Sequence, residues 1–496
     1  MFRKITALLL LFLAFTGCKD NDGGKAEGSG LEPLAYTLYT DKMELFVEFK
    51  PLVVGETTKF AAHFTAMGDT FKSLDSGEIT VSLIIGDKGI RNTVKSASSP
   101  GIFRLALKPE ITGKGKLVFD IHTRYVDDRI EIPNVEVFAD VAAAQKAARP
   151  TEPSGGITYL KEQAWKVEFA NAPAQRKTFH EVIRTNGQLI SAVGDEMVIT
   201  AKADGIVKFN GDNAIVGKAV SEGTPLFTIS GNNLAQGNID SQVRESKMNY
   251  LKLKADYERA QELATDQIIS QKEFQTTKLL YENARNDFNT ISKNFSANGQ
   301  RINAPMGGFI KTVSVNDGQF VQAGTPLATV SKNKRLLLQA NVSQRYFGKL
   351  ASITSANFTI PNGATYDTQN LNGKVVSYGK SASLESPFLP IAFEIDNTQG
   401  IVSGSGVEVY LKSTPKPNTL VIPMSAIQEE QGVFYVYVQT AGETFDKREV
   451  TLGAKDGREV EILSGINDGE RVVTKGGYQI KLSVASGALP AHGHEH

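Results

Sequence analysis

At 496 residues the chain is too long for a single hydrophobic core, so several domains are expected. Its 54 Lys and Arg balance 54 Asp and Glu with no long like-charge block. That balance excludes nucleic acid as the main partner, because a phosphate-binding face needs surplus cationic side chains. Frequent glycine and a lone tryptophan, Trp165, suit a chain of many turns and short strands.

Residues 1–18 read as a processing signal. Arg3 and Lys4 precede an apolar run from Ile5 to Phe15, broken only by Thr6 and too short to span a bilayer, which needs about 20 apolar residues. Thr16-Gly17-Cys18 follows, and a small residue before a lone cysteine resembles a bacterial lipobox, whose Cys18 becomes the lipidated N-terminus. The alternative is a plain secretory signal with an incidental cysteine. Since Cys18 is the only cysteine, the chain has no internal disulfide and no thiolate metal site. Residues 19–30 (KDNDGGKAEGSG) are polar and glycine-rich, a flexible tether.

Residues 31–140 contain runs such as MELFVEF, EITVSLII and KLVFDIHTRYV, which alternate as strands and predict a small antiparallel β-sandwich. Residues 141–156 turn Ala-rich and then Pro/Gly-rich, a linker. Strand patterns resume from Phe179 to Thr200.

An internal repeat follows. Residues 201–230 and 304–331 share Ala-x-x-x-Gly-apolar-apolar-Lys, then Gly-x-x-Val-x-x-Gly-Thr-Pro-Leu-x-Thr-apolar-Ser. Gly205 corresponds to Gly308, Gly223 to Gly324, and Pro225 to Pro326. Each copy is a set of short strands and turns too small to bury a core alone; two copies facing each other can.

Between the copies the period changes to heptads. Val243, Tyr250, Tyr257 and Ala264 form one seam position with Ser246, Leu253 and Ala260; Phe274, Tyr281, Phe288 and Phe295 form the other with Thr277, Ala284 and Ile291. Two such segments, joined by a polar turn near Asp266 and Gln267, predict an antiparallel coiled-coil hairpin projecting roughly 40 Å. Beyond the repeat, Leu336 to Lys412 and residues 419–484 are again strand-rich, and 487–496 form a histidine-containing tail.

Two half-motifs with Gly-Thr-Pro-Leu turns, split by a helical hairpin, resemble the HlyD-like membrane fusion proteins, the periplasmic adaptors of efflux pumps. The stretch from Val421-Ile422-Pro423-Met424-Ser425-Ala426-Ile427 to Gly469-Glu470-Arg471-Val472-Val473 resembles adaptors of resistance-nodulation-division (RND) transporters. The resemblance covers residues 157–485 and implies a mostly β fold with nested domains: lipoyl-like halves at 200–237 and 300–331, a helical hairpin at 238–299, a β-barrel domain at 179–199 and 332–413, and a membrane-proximal domain at 157–178 and 414–486. It implies an inner-membrane RND transporter and an outer-membrane channel as partners, self-assembly into a ring, and a periplasmic lipoprotein of a Gram-negative bacterium. Val402-Ser403-Gly404-Ser405-Gly406-Val407 departs from the family's usual Pro-Gly pair before the last barrel strand.

At the tip, Arg259-x-x-x-Leu263-x-x-x-x-x-x-Ser270 has the spacing by which these adaptors dock on the channel. Arg259 can fork hydrogen bonds to backbone carbonyls, Leu263 supplies an apolar knob and Ser270 a short polar contact. The bland alternative leaves Arg259 solvated and Leu263 in the seam.

A lipoyl-like fold also suggests an enzyme, a lipoyl or biotinyl carrier whose swinging lysine sits on a tight turn between the halves. Here the hairpin occupies that turn, and neither a phosphate loop nor a nucleophile constellation is present. No enzymatic activity and no resident cofactor are expected. His492, His494 and His496 alternate on the tail and could bind a divalent cation transiently, or could be a polar end without a ligand. His63 and His122, with Met43 and Met67, are candidate ligands in the N-terminal module; the alternative is a hydrogen-bonded strand residue. The extra module and the tail lean towards heavy-metal efflux, with drugs or other small organic molecules as the second choice.

Overall fold

The computed structural model describes residues 31–124, 126–147, 156–231, 239–293, 295–296, 299–380 and 387–485. Cys18 and the tail histidines His492, His494 and His496 lie outside them. The chain is mostly β and divides into two compact units: residues 1–174, 425–450 and 465–496, and residues 175–424 and 451–464.

The first unit begins with two five-stranded sheets. One runs Leu34–Tyr39, Met43–Phe49, Thr58–Ala66 and Lys72–Ser73, with Ile102–Leu107 also paired to Thr58–Ala66. The other runs Leu52–Val53, Asp127–Phe138, Gly113–His122, Ser76–Ile85 and Lys88–Ser96. Period-two alternation turns Ile79, Val81 and Leu83 inward onto Phe60, Phe64, Phe103 and Phe119. Phe64 meets Phe103 and Phe119 edge-on, a geometry contributing about 0.5–1.5 kcal/mol per pair beyond area burial.

The segment expected to be a linker from 141 begins instead with a helix, α1 (Val141–Ala147). Alanine has the highest helix propensity, and Asp140 Oδ1 caps the helix by accepting from Ala143 N at 2.7 Å. Ala144 is buried with Leu31 and Val53, which ties the segment to the sandwich.

The rest of this unit is a six-stranded sheet ordered Ile157–Thr158, Thr444–Glu449, Val433–Ala441, Arg471–Lys475 and Ala170–Pro173, with Gln428–Glu430 on Val433–Ala441. A short helix, α2 (Lys161–Ala164), follows the first of these strands. Glu443, in the turn after Val433–Ala441, accepts from Lys161 N at 2.6 Å, and burial holds its carboxyl above the usual carboxylate range. A carboxyl raised in this way stabilises the fold fully below its unfolded value of about 4.3, and that stability is lost as pH rises through the folded value. Glu443→Gln keeps the acceptor but removes the titration. The melting temperature of the wild type relative to this variant is therefore expected to fall between pH 4.5 and pH 7; a constant difference would contradict the assignment.

In the second unit a nine-stranded sheet is ordered Thr365–Asp367, Ser355–Thr359, Gly406–Pro423, Gln175–Ser191, Arg335–Ser343, Phe388–Asp396 and Lys374–Tyr378. Glu459–Ser464 pairs with Gly406–Pro423, and Thr451–Lys455 pairs with Glu459–Ser464. This corrects two expected boundaries. The divisions at 178/179 and 413/414 fall inside single strands of 17 and 18 residues, because register shifts at Lys177/Phe179 and His180/Val182 let one ribbon bend without ending. Residues 451–464, expected in the membrane-proximal domain, continue this larger sheet.

The repeat forms two smaller sheets. One contains Glu196–Thr200, Pro326–Ser331, Gly308–Val313 and Ala219–Val220; the other Phe295–Ser296, Gly299–Asn303, Pro225–Ser230, Gly205–Phe209 and Phe320–Val321. The copies exchange strands. Ala219–Val220 of the first pairs with the second copy's Gly308–Val313, and Phe320–Val321 of the second pairs with the first copy's Gly205–Phe209. Each copy therefore completes the other around Val207, Leu226, Phe227, Ile310, Leu327 and Val330. Asp195, nearly buried, joins this body to the large sheet: one carboxylate oxygen accepts from Lys334 N at 2.8 Å and Arg335 N at 2.6 Å, across both chain crossings.

Candidate functional site

Two long helices leave the repeat body, α3 (Ile239–Thr265) and α4 (Gln271–Ile291). Heptad spacing brings their rings into one ladder alternating between the helices. Phe274 stacks on Tyr257 at 5.9 Å, Tyr257 on Tyr281 at 5.0 Å, Tyr281 on Tyr250 at 5.9 Å and Tyr250 on Phe288 at 5.5 Å. Val243, Ala260 and Ala284 are buried in the same seam, while the outer faces stay exposed. By length, α3 reaches about 40 Å.

Phe295, expected as the last ring of the seam, lies past the end of α4 on the strand Phe295–Ser296. The heptad count continues in sequence, but the helix stops at Ser292, whose backbone N–H and hydroxyl both donate to Phe288 O, at 2.9 Å and 2.6 Å.

The tip turn accounts for two of the three motif residues. Ile268 N donates to Leu263 O at 2.8 Å and Gln267 N to Ala264 O at 3.1 Å, with Gln267 left-handed at φ 61°. These are the paired bonds of a Schellman helix stop. Ser270 Oγ then caps α4 by accepting from Glu273 N at 3.2 Å. Leu263 and Ser270 thus build the turn as well as standing on it; Ser270-x-x-Glu273 was the readable capping signal. Leu263 is half-buried, and Arg259 and Ser270 are exposed. Arg259 enters no ion pair among the described residues. Ile268, an apolar side chain in the same turn that the sequence reading did not single out, is 66% exposed.

At the base of the arm the repeat glycines do two different jobs. Gly205 and Gly308 lie where a neighbouring strand crosses: a Cβ would stand 2.6 Å from Ser230 O and 2.3 Å from Ser331 O. Gly223 and Gly324 face open space but take φ of +84° and +90°, left-handed turns that favour glycine. Pro225 and Pro326 open the strands that follow.

The histidine candidates are separate. His63 is buried on Thr58–Ala66 between the rings of Phe46 and Trp165, with Nε2 3.6 Å from Glu162. His122 lies on the other sheet, exposed, 3.2 Å from Asp127. Met43 packs in the sandwich core and Met67 against a second apolar cluster that includes Phe71 and Phe169. Among the described residues no three His, Cys, Asp or Glu gather around a space for a metal ion.

The model of the CzcB C-terminal circularly permuted SH3-like domain matches residues 420–481. The nickel-cobalt-cadmium resistance protein NccB of Alcaligenes xylosoxydans xylosoxydans is 24% identical over 352 residues, covering 69% of this chain and 85% of its own. The macrolide export protein MacA of Escherichia coli O157:H7 is 27% identical over 235 residues, covering 44% of this chain and 63% of its own. Among solved structures, ZneB from Cupriavidus metallidurans matches 65% of this chain and 97% of its own at 21% identity, with a TM-score of 0.33.

Proposed function

We propose that this chain is the periplasmic adaptor of a tripartite RND efflux system, a membrane fusion protein that links an inner-membrane transporter to an outer-membrane channel and serves the export of heavy-metal cations. One observation carries the reading: a helical hairpin is inserted where two interlocked half-repeats meet, in a chain that aligns with 85% of a nickel-cobalt-cadmium resistance protein. No bond is made or broken by such a protein. Its work is geometric: the β modules seat around the transporter, the hairpins of a ring of copies point at the channel, and a lipid on Cys18 keeps the assembly at the membrane. Arg259, Leu263 and Ser270 meet the channel, with Ile268 beside them.

The cargo follows from the metal-resistance relative and the CzcB-type module. The macrolide export relative supports the second reading, a small organic cargo. Deleting the gene is expected to sensitise cells to nickel, cobalt or cadmium while macrolide susceptibility stays unchanged. The reverse pattern would transfer the cargo to the second reading, and no change in either would overturn the adaptor role. His492, His494 and His496 would hold the cation transiently on its way to the transporter; unchanged metal tolerance after removal of residues 492–496 would sink that part.

A further inference from the structure

The adaptor reading leaves the N-terminal sandwich without a role, and its junction with the C-terminal sheet suggests one. Glu44, fully buried on the sandwich strand Met43–Phe49, accepts three hydrogen bonds on one oxygen. Tyr39 Oη donates from within the sandwich at 2.8 Å, Lys161 Nζ from α2 at 2.5 Å and Gln439 Nε2 from the C-terminal sheet at 3.1 Å. Lys161 is itself buried, so the pair is a desolvated charge bridge whose partners come from the two sides of the junction. Arg471 of the C-terminal sheet lies 3.9 Å over the Tyr39 ring and donates to Asn171 Oδ1 at 2.7 Å.

Shape agrees with charge. Trp165 lies so close to Gly101 that a Cβ there would stand 2.3 Å from its ring, and its Nε1 donates to Thr65 Oγ1 at 3.0 Å. Phe46 of the sandwich lies against Gly442 of the C-terminal sheet, where a Cβ would stand 2.1 Å from the ring. Phe71 N donates to Phe169 O at 2.7 Å while their rings meet edge-on. A tethered domain that swings in solvent has no use for a buried ion pair, because separation would leave two charges to be rehydrated and several rings exposed.

We propose that the N-terminal sandwich is a fixed lobe of the C-terminal module, so that the two move as one rigid body and any partner that seats the module also positions the sandwich. This rests on the adaptor reading only for the identity of that partner, the transporter's periplasmic surface. It excludes the sandwich as a mobile arm that ferries cations.

The test is a distance measurement by pulsed electron spin resonance on the full chain carrying Cys18→Ser, with labels at Asp87→Cys in the sandwich and Asp468→Cys in the module. A single narrow distribution is expected. Lys161→Met, which strands Glu44 without a counter-charge, should widen it at least about twofold. Glu44→Gln with Lys161→Met removes both charges and should narrow it again, which separates loss of the junction from loss of folding. A broad distribution in the parent chain would overturn the proposal. Neither outcome touches the phenotype of the deletion strain, on which the adaptor reading stands or falls separately.

Discussion

Replacing Arg259 with Asp and Leu263 with Ser together is expected to reduce metal resistance to the level of a deletion strain, with the amount of folded protein and its helical circular dichroism unchanged. The expectation follows from exposure and from what the hairpin uses for its own stability. Arg259 is exposed and free of ion pairs within the described chain, so its removal takes little from the fold. Leu263 contributes its carbonyl, not its side chain, to the Schellman bond with Ile268, and serine supplies the same carbonyl. At an interface, two anchoring side chains of this kind contribute about 2 kcal/mol each, so their joint loss weakens docking about a thousandfold. Resistance retained at parental level with normal protein abundance would remove the tip from the docking surface. Loss of the protein itself would point to a structural role of Leu263, and Arg259→Asp alone then carries the test.

The second large effect concerns the four repeat glycines. Gly205→Ala and Gly308→Ala are each expected to cost about 3 kcal/mol or more, because the new methyl would overlap a backbone carbonyl that cannot withdraw. Ser331 is held in register opposite Phe309, and Ser230 opposite Ile206. Gly223→Ala and Gly324→Ala meet no atom within 4 Å and bear only left-handed strain, about 1–2 kcal/mol. Chemical denaturation of the four variants should therefore separate them into two pairs that follow the repeat, Gly205 with Gly308 and Gly223 with Gly324. Any other grouping would contradict the account of how the two copies interlock.

The mostly β character was legible because period-two alternation is local, as in EITVSLII, where Ile79, Val81 and Leu83 turn inward. Helical seams are local too, which is why Tyr250, Tyr257, Tyr281 and Phe288 could be named from spacing. The spacing outlasted the helix at Phe295, which lies on the short strand that follows it. Domain boundaries were not legible at 178/179 and 413/414, because a bulge lets one strand serve two regions and leaves no break in the pattern. The junction left no trace at all. Glu44 and Lys161 are 117 residues apart, and nothing near either announces the other. His63 was noticed as a possible ligand, but its surroundings are the rings of Phe46 and Trp165 and the carboxylates of Glu162 and Glu443.

In the proposed assembly the hairpin tip touches an outer-membrane channel. The most direct measurement places a photo-crosslinking amino acid at Ile268, exposed in the tip turn, in cells that express the whole efflux system. Irradiation should join this chain to an outer-membrane protein of the channel class, and a crosslinker at Lys374, on the edge strand of the large sheet, should not form that product. Crosslinks from Ile268 only to the inner-membrane transporter, or none to any envelope protein while metal resistance is intact, would contradict the account.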